Sequence, residues 1–141
     1  MKKKLKLLYR EVILQHNKSP YHFEKKENWE PLIEANNPLC GDRFQLYLQI
    51  EGDCIRAVYF HGFGCAISKA STSILSQKLE GRTKVEAREI CTSFLQFIDG
   101  ENRALISDDA IQAFAAVDEF PARKDCAVLA WVVLNDYLSK V

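Results

Sequence analysis

Residues 44–60 read FQLYLQIEGDCIRAVYF, and their alternation decides the fold class. Phe44, Leu46, Leu48 and Ile50 alternate with Gln45, Tyr47 and Gln49; after a break, Ile55, Ala57 and Tyr59 alternate with Arg56, Val58 and Phe60. A two-residue period places successive side chains on opposite faces of a sheet, so both runs are strands. The break, Glu51-Gly52-Asp53, carries the turn chemistry that folds one strand back on the other, giving an antiparallel hairpin. An apolar sheet face needs a cover, and the downstream sequence supplies one in the form of helices.

After the loop His61-Gly62-Phe63-Gly64-Cys65, residues 66–79 form a helical segment with Ile67, Ala70, Ile74 and Leu79 on one side and Gly81 beyond its end. Thr83 and Glu86 have the spacing of a capping box for a third helix, in which Ala87, Ile90, Cys91, Phe94 and Ile98 recur at intervals of three and four before Asp99-Gly100. A shorter helix follows Ser107 and packs Ile111, Phe114 and Ala115, ending before Pro121. The last helix begins near Cys126 and is apolar on most sides, which makes it central. Upstream of the hairpin, residues 19–38 are polar and irregular, with Pro20, Pro31 and Pro38, and read as a long surface segment. Before them Leu5, Leu8, Tyr9, Val12 and Ile13 write an opening helix that stops at Asn17, Ser19 and Pro20. The expectation is one α+β domain over residues 1–141, a small antiparallel sheet of about three strands with helices packed on one face.

The 141 residues carry 19 basic and 19 acidic side chains, a net charge of zero that argues against a nucleic-acid-binding arm. The longest apolar run, Cys126 to Leu134, is about half the ~18 residues of a membrane span, so no membrane-crossing helix is expected. Arg10 and Glu11 interrupt any signal-peptide core after the Lys-rich start, which argues against export. Five cysteines, an odd number at irregular spacing, fit a reducing compartment, and a cytoplasmic location is expected.

Three of those cysteines lie in loops or at element ends: Cys40 before the hairpin, Cys65 before the second helix, Cys126 at the opening of the last, with Asp42 two residues after Cys40. A thiol at a helix N-terminus is drawn toward its thiolate form by the helix dipole and unpaired amides, an advantage of Cys65 and Cys126. Gly41 lets Cys40 and Asp42 face one point, and Gly62 and Gly64 allow close approach around Cys65. Three thiolates and a carboxylate suit zinc, or iron in a cluster. Spacing alone leaves three unrelated buried thiols as an equal reading, since free cysteine is often buried. Cys54 and Cys91 fit packing positions. His16 and His22 read as surface or capping groups, and His61 lacks the third orienting group that a Cys-His nucleophile pair requires.

The wording of the motifs resembles the iron-sulfur cluster assembly family that includes IscU, the N-terminal part of NifU and SufU. The likeness runs nearly end to end. It rests on Leu8-Tyr9 through His16-Asn17-Lys18-Ser19-Pro20, on Asn37-Pro38-Leu39-Cys40-Gly41-Asp42, on Gly62-Phe63-Gly64-Cys65-Ala66-Ile67-Ser68 with Ala70-Ser71-Thr72-Ser73, and on Phe120-Pro121-Ala122-Arg123-Lys124-Asp125-Cys126-Ala127. The long Cys65 to Cys126 interval, with extra material from Phe94 to Asp109, is similar to the SufU branch. IscU-type members have a histidine before the third cysteine and a Leu-Pro-Pro-Val-Lys chaperone motif, which this chain lacks, so chaperone dependence is not implied. SufU members usually carry lysine where Asp125 stands; Asp125 reads as a solvated helix cap, with a substitute ligand as the alternative.

The resemblance implies a zinc-dependent sulfurtransferase-like role, in which Cys40, Asp42, Cys65 and Cys126 form the metal site. Sulfur from a pyridoxal-phosphate cysteine desulfurase (SufS-like) would arrive on Cys40, while Cys65, Cys126 and Asp42 hold zinc. Downstream cluster assembly proteins are the implied further partners, with no nucleic acid and no membrane. It equally implies an alternative, a scaffold on which iron and sulfide form a transient iron-sulfur cluster at the same positions. A structural zinc-binding interaction module is the third reading.

Overall fold

The computed structural model describes residues 2–38 and 41–141, with the side chain of Lys2 excepted. Helix α1 spans Lys2–Lys18, followed by strands β1 (Leu32–Asn37), β2 (Asp42–Glu51) and β3 (Cys54–Phe63). Helix α2 (Ala66–Leu79) and the two-residue strand β4 (Arg82–Thr83) lead into α3 (Lys84–Ile98), then α4 (Asp109–Ala113) and α5 (Lys124–Ser139). The strands form one antiparallel sheet in the order β1-β2-β3-β4.

The expected hairpin is present, with Glu51 paired to Cys54 and the turn at Gly52-Asp53. Phe44, Leu46 and Leu48 of β2 face Gly62, Phe60 and Val58 of β3 across the pair, and these five side chains and the glycine line the covered face. Helix α2 packs on β3 and α5 on β1 and β2, while α1 lies against α2 and α3 against α5. The core closes on Trp131, whose indole stacks on Phe94 at 4.0 Å between centroids and whose Nε1–H donates to Ser71 Oγ at 2.8 Å. Both requirements of a buried tryptophan, apolar contact and a hydrogen-bond acceptor, are met there. The capping box of α3 also forms as read: Glu86 N–H donates to Thr83 Oγ1 and Thr83 N–H to Glu86 Oε1.

Three features depart from the sequence reading. The sheet has four strands among the described residues where about three were expected, because β1 lies inside the segment read as surface. The inward positions of β1 are Ile33, Ala35 and Asn37, of which only Ile33 is large and apolar, so no sustained apolar alternation announces it. The same segment also covers the edge of β3: Glu24 N–H donates to Phe60 O at 2.8 Å, and Phe60 N–H to His22 O at 3.0 Å. His16 is buried, not at the surface, and its Nδ1 meets Ser73 Oγ at 2.7 Å. Ser73 Oγ also accepts from Tyr21 N–H at 2.8 Å, so His16 and Ser73 tie the chain leaving α1 onto α2.

Candidate metal centre

Asp42 opens β2 opposite Asn37, on the sheet face that is covered, and is 1% exposed. Its Oδ1 accepts from the backbone N–H of Cys65 at 2.9 Å. Its Oδ2 is buried with no hydrogen-bond partner among the described residues. A buried carboxylate oxygen left in that condition costs free energy, so its most economical explanation is a ligand that occupies it.

Cys65 is the N-cap of α2, with φ −67° and ψ 166°, and its Sγ accepts from Ser68 N–H at 3.4 Å. The thiol takes the place that a serine or aspartate oxygen usually fills, under the positive end of the helix. Two glycines bring the loop close enough. A Cβ on Gly62, where φ is +139°, would lie 2.0 Å from Arg43 O; one on Gly64 would lie 2.5 Å from the Phe44 ring and 2.6 Å from Ser68 Oγ. The β3–α2 junction is therefore pressed onto the start of β2, which carries Asp42.

Cys126 is the third residue of α5 and is 1% exposed. It too lies in a first helical turn, where unpaired N–H groups favour negative charge. One ligand atom each from Asp42, Cys65 and Cys126 lies within 4.8 Å of the others, the one such group of His, Cys, Asp and Glu side chains found among the described residues. Zinc with Zn–S of about 2.3 Å and Zn–O of about 2.0–2.2 Å would hold tetrahedral ligands roughly 3.4–3.8 Å apart, so closing on the ion needs shifts of about 1 Å or less. Two thiols and a carboxylate with an orphaned oxygen are a donor set that fits zinc.

The fourth expected ligand, Cys40, lies outside the described residues. On its two sides, Asn37 pairs with Asp42 and accepts from Gly41 N–H at 2.8 Å through its carbonyl, while Gly41 takes φ +72°. Asp125 is exposed in the first turn of α5, whose N-cap is Arg123, so it is solvated as expected but is not the cap. Cys91 is fully buried and its thiol is pushed up to about 12 by burial, the behaviour of an inert packing group. Cys54 sits half-buried at the far end of β3. His61 rests its ring against Phe23, and His22 is stacked between Tyr21 and Tyr59. Phe63 and Phe120 are exposed, at 80% and 45%, whereas Tyr21, Phe23 and Trp29 are half-buried.

Two residues that sequence reasoning did not assign to the site belong beside it. Ser68 donates its N–H to Cys65 Sγ and its Oγ–H to Cys65 O at 3.2 Å. Tyr9, read as one of the apolar positions of α1, has a buried hydroxyl with no hydrogen-bond partner among the described residues. Burial and the nearby Cys65 push that hydroxyl up to about 12, with Cys126 adding and Arg123 opposing. The periodicity that placed Tyr9 in the stripe gave no sign of its hydroxyl's surroundings.

The chain is similar to known proteins over nearly its whole length. A family model described as the NifU-like N terminal domain matches residues 8–140. The "Zinc-dependent sulfurtransferase SufU" of Bacillus subtilis is 34% identical over 139 residues, covering 96% of this chain and 92% of its own. The "Iron-sulfur cluster assembly scaffold protein IscU" of Streptococcus pyogenes is also 34% identical, covering 97% and 86%. Among solved structures, a putative iron-sulfur cluster assembly scaffold protein for the SUF system from Fervidobacterium islandicum superposes with a TM-score of 0.83 at 34% identity, over 94% of this chain and 97% of that one.

Proposed function

We propose, from the premise that this chain belongs to the NifU-like N-terminal domain family, that it accepts sulfur from a pyridoxal-phosphate cysteine desulfurase in iron-sulfur cluster biogenesis. Zinc is held by Asp42, Cys65, Cys126 and Cys40, with Cys40 as the sulfur acceptor. One observation carries most of the weight: Asp42, whose Oδ2 is orphaned, offers a carboxylate oxygen within 4.8 Å of thiols delivered by two separate helix N-termini. When bound there, zinc would keep the cysteines as thiolates at neutral pH.

The chain's own residues account for the rest. Ser68 N–H and the start of α2 stabilise negative charge on Cys65, and the first turn of α5 does the same for Cys126. Asp42 fixes the backbone of Cys65 through Oδ1 and leaves Oδ2 to the metal. Transfer itself is a thiolate–persulfide exchange. The Cys40 thiolate attacks the outer sulfur of the desulfurase persulfide, the S–S bond breaks, and the desulfurase cysteine leaves as a thiolate. No oxidant is consumed, since the persulfide merely changes owner.

The four described cysteines are free thiols and no helix among the described residues is long and apolar enough to cross a membrane, which supports a cytoplasmic working place. A scaffold reading is favoured by the IscU relative that shares the same identity. Desulfurase turnover with and without the zinc-loaded protein decides between them. Acceleration that is lost in Cys40→Ala while the complex still forms is expected. Unchanged turnover, together with assembly of a stable coloured cluster that passes to an apoprotein, would establish the scaffold instead.

A further inference from the structure

Helices α2 and α5 bring Cys65 and Cys126 to one point from distant parts of the chain, and a buried serine joins the two helices. Ser71 lies on α2, about 9 Å along the helix axis from Cys65 at 1.5 Å per residue. Its hydroxyl donates to the backbone carbonyl of Ala127, the residue that follows Cys126 in the first turn of α5. The same oxygen accepts from Trp131 Nε1–H at 2.8 Å, one turn further along α5. Neighbouring hydroxyls of α2 are engaged elsewhere: Thr72 Oγ1–H donates to Ser68 O within the helix, while Ser73 Oγ serves His16 and Tyr21.

A serine hydroxyl has one proton to give and lone pairs to accept with, an indole N–H can only donate, and a carbonyl can only accept. Both bonds therefore run in one sense, from indole to hydroxyl to carbonyl. Ser71, Ala127 and Trp131 are all buried, so no water competes for these groups, and breaking either bond leaves a buried donor unpaired. The start of α5 has no other fastening of this kind from its cap, since Arg123 at the N-cap makes no side-chain capping bond. The carbonyl next to Cys126 is thus held by α2, the helix that Cys65 caps.

We propose that Ser71 is a positioning residue of the metal centre: by tying Ala127 O to α2, it sets the separation of the Cys65 and Cys126 thiols. Ligands held in place before the metal arrives lose less freedom when it binds, and the saving appears as affinity. The serine touches neither sulfur. It acts through the backbone of one ligand and the helix of the other. The proposal rests on the zinc-site reading above.

Ser71→Ala deletes the brace and also strands the Trp131 N–H, so it lowers the metal-free thermal midpoint as well as loosening the site; alanine's better helix propensity offsets part of the loss and keeps the protein folded. Trp131→Phe separates the two effects. It destabilises the core by removing part of a buried ring, yet leaves the Ser71 hydroxyl able to donate to Ala127 O. Zinc affinity, measured by competition with a chromophoric chelator, is expected to fall about tenfold in Ser71→Ala, the lower end of what partners outside the ligand set contribute. It should stay within about twofold of wild type in Trp131→Phe, and in Ser71→Thr, which keeps a hydroxyl. In cobalt-substituted protein the visible d–d bands, which report the angles between ligands, should shift in Ser71→Ala and hold their place in Trp131→Phe. Wild-type affinity and bands in Ser71→Ala, or affinities that fall in step with stability across all three variants, would overturn this inference alone. Wild-type protein that takes up neither metal overturns it together with the zinc site.

Discussion

Replacing Asp42 by Asn tests the metal centre through stability. The amide keeps an oxygen able to accept from Cys65 N–H, the 2.9 Å bond that joins β2 to the start of α2. What changes is the second position, now occupied by a buried oxygen without a partner among the described residues. In the metal-free protein the amide NH2 that replaces that oxygen is equally without a partner, so an unsatisfied buried polar group worth about 1–3 kcal/mol is present in both proteins and Asp42→Asn is expected to unfold at about the same temperature as wild type. With zinc the two proteins part. Losing an anionic ligand should weaken binding by at least as much as losing an outer partner, so about a hundredfold is a fair lower figure, equivalent to about 2.8 kcal/mol. Ligand binding adds to stability in proportion to the logarithm of affinity. For a chain of this size about 1 kcal/mol moves the midpoint by roughly 3–4 °C, so the zinc-induced rise should shrink by about 8–11 °C. Calorimetry of both proteins, with and without one equivalent of zinc, measures all four midpoints. Equal zinc-induced rises would remove Asp42 from the ligand set and leave its orphaned oxygen unexplained.

Gly64→Ala places a Cβ 2.5 Å from the Phe44 ring and 2.6 Å from Ser68 Oγ; overpacking of this kind costs about 1–3 kcal/mol, a fall of roughly 3–12 °C in the metal-free midpoint, and a change under about 1 °C would show that the junction has slack. His16 is held below its ordinary value of 6.5, by burial first and then by Lys78, so the unfolded chain binds a proton more readily than the folded one. Its contribution is therefore complete above about pH 6.5 and is lost as pH falls from there toward the lower folded value. Urea midpoints between pH 7.5 and 5.5 should drop more for wild type than for His16→Gln, and parallel curves would contradict the burial argument.

Legibility followed the range of the interactions involved. The β2–β3 hairpin, the Thr83–Glu86 capping box and the Cys65 cap are settled by residues a few positions apart, and each formed where its local pattern placed it. Strand β1 has no such pattern. Leu32 is 47% exposed, and of the inward places only Ile33 is large and apolar while the others go to Ala35 and Asn37, so hydrophobicity gives little signal along an edge strand that is specified by its pairing with β2. The polar stretch before it was equally opaque, because Trp29 Nε1–H finds Leu48 O at 2.9 Å and Glu24 N–H finds Phe60 O, partners remote in sequence. His16 belongs to the same class, since a buried histidine requires its acceptor or donor to arrive from elsewhere, in this case Ser73 on α2.

The candidate site divides along the same line. Cys65 and Cys126 announced themselves by standing at helix starts, and Asp42 by its nearness to Cys40, yet neither spacing nor helix placement could say that the three would converge. Convergence comes from the sheet: Asp42 begins β2 opposite the point where β3 ends, and the antiparallel pairing of Arg43 with Phe63 fixes that meeting. Gly62 and Gly64 then remove the side chains that would hold the junction off, and packing of α5 against β1 and β2 brings Cys126 in from the other end of the chain. A buried oxygen without a hydrogen-bond partner among the described residues, Asp42 Oδ2, is a mark of this assembly that only the folded chain reveals. A core built for stability alone would fill that position with an apolar atom, because a buried polar group left unsatisfied is worse than none. Its place on the same residue as the oxygen that clusters with two thiols is a local cost that a bound metal would relieve.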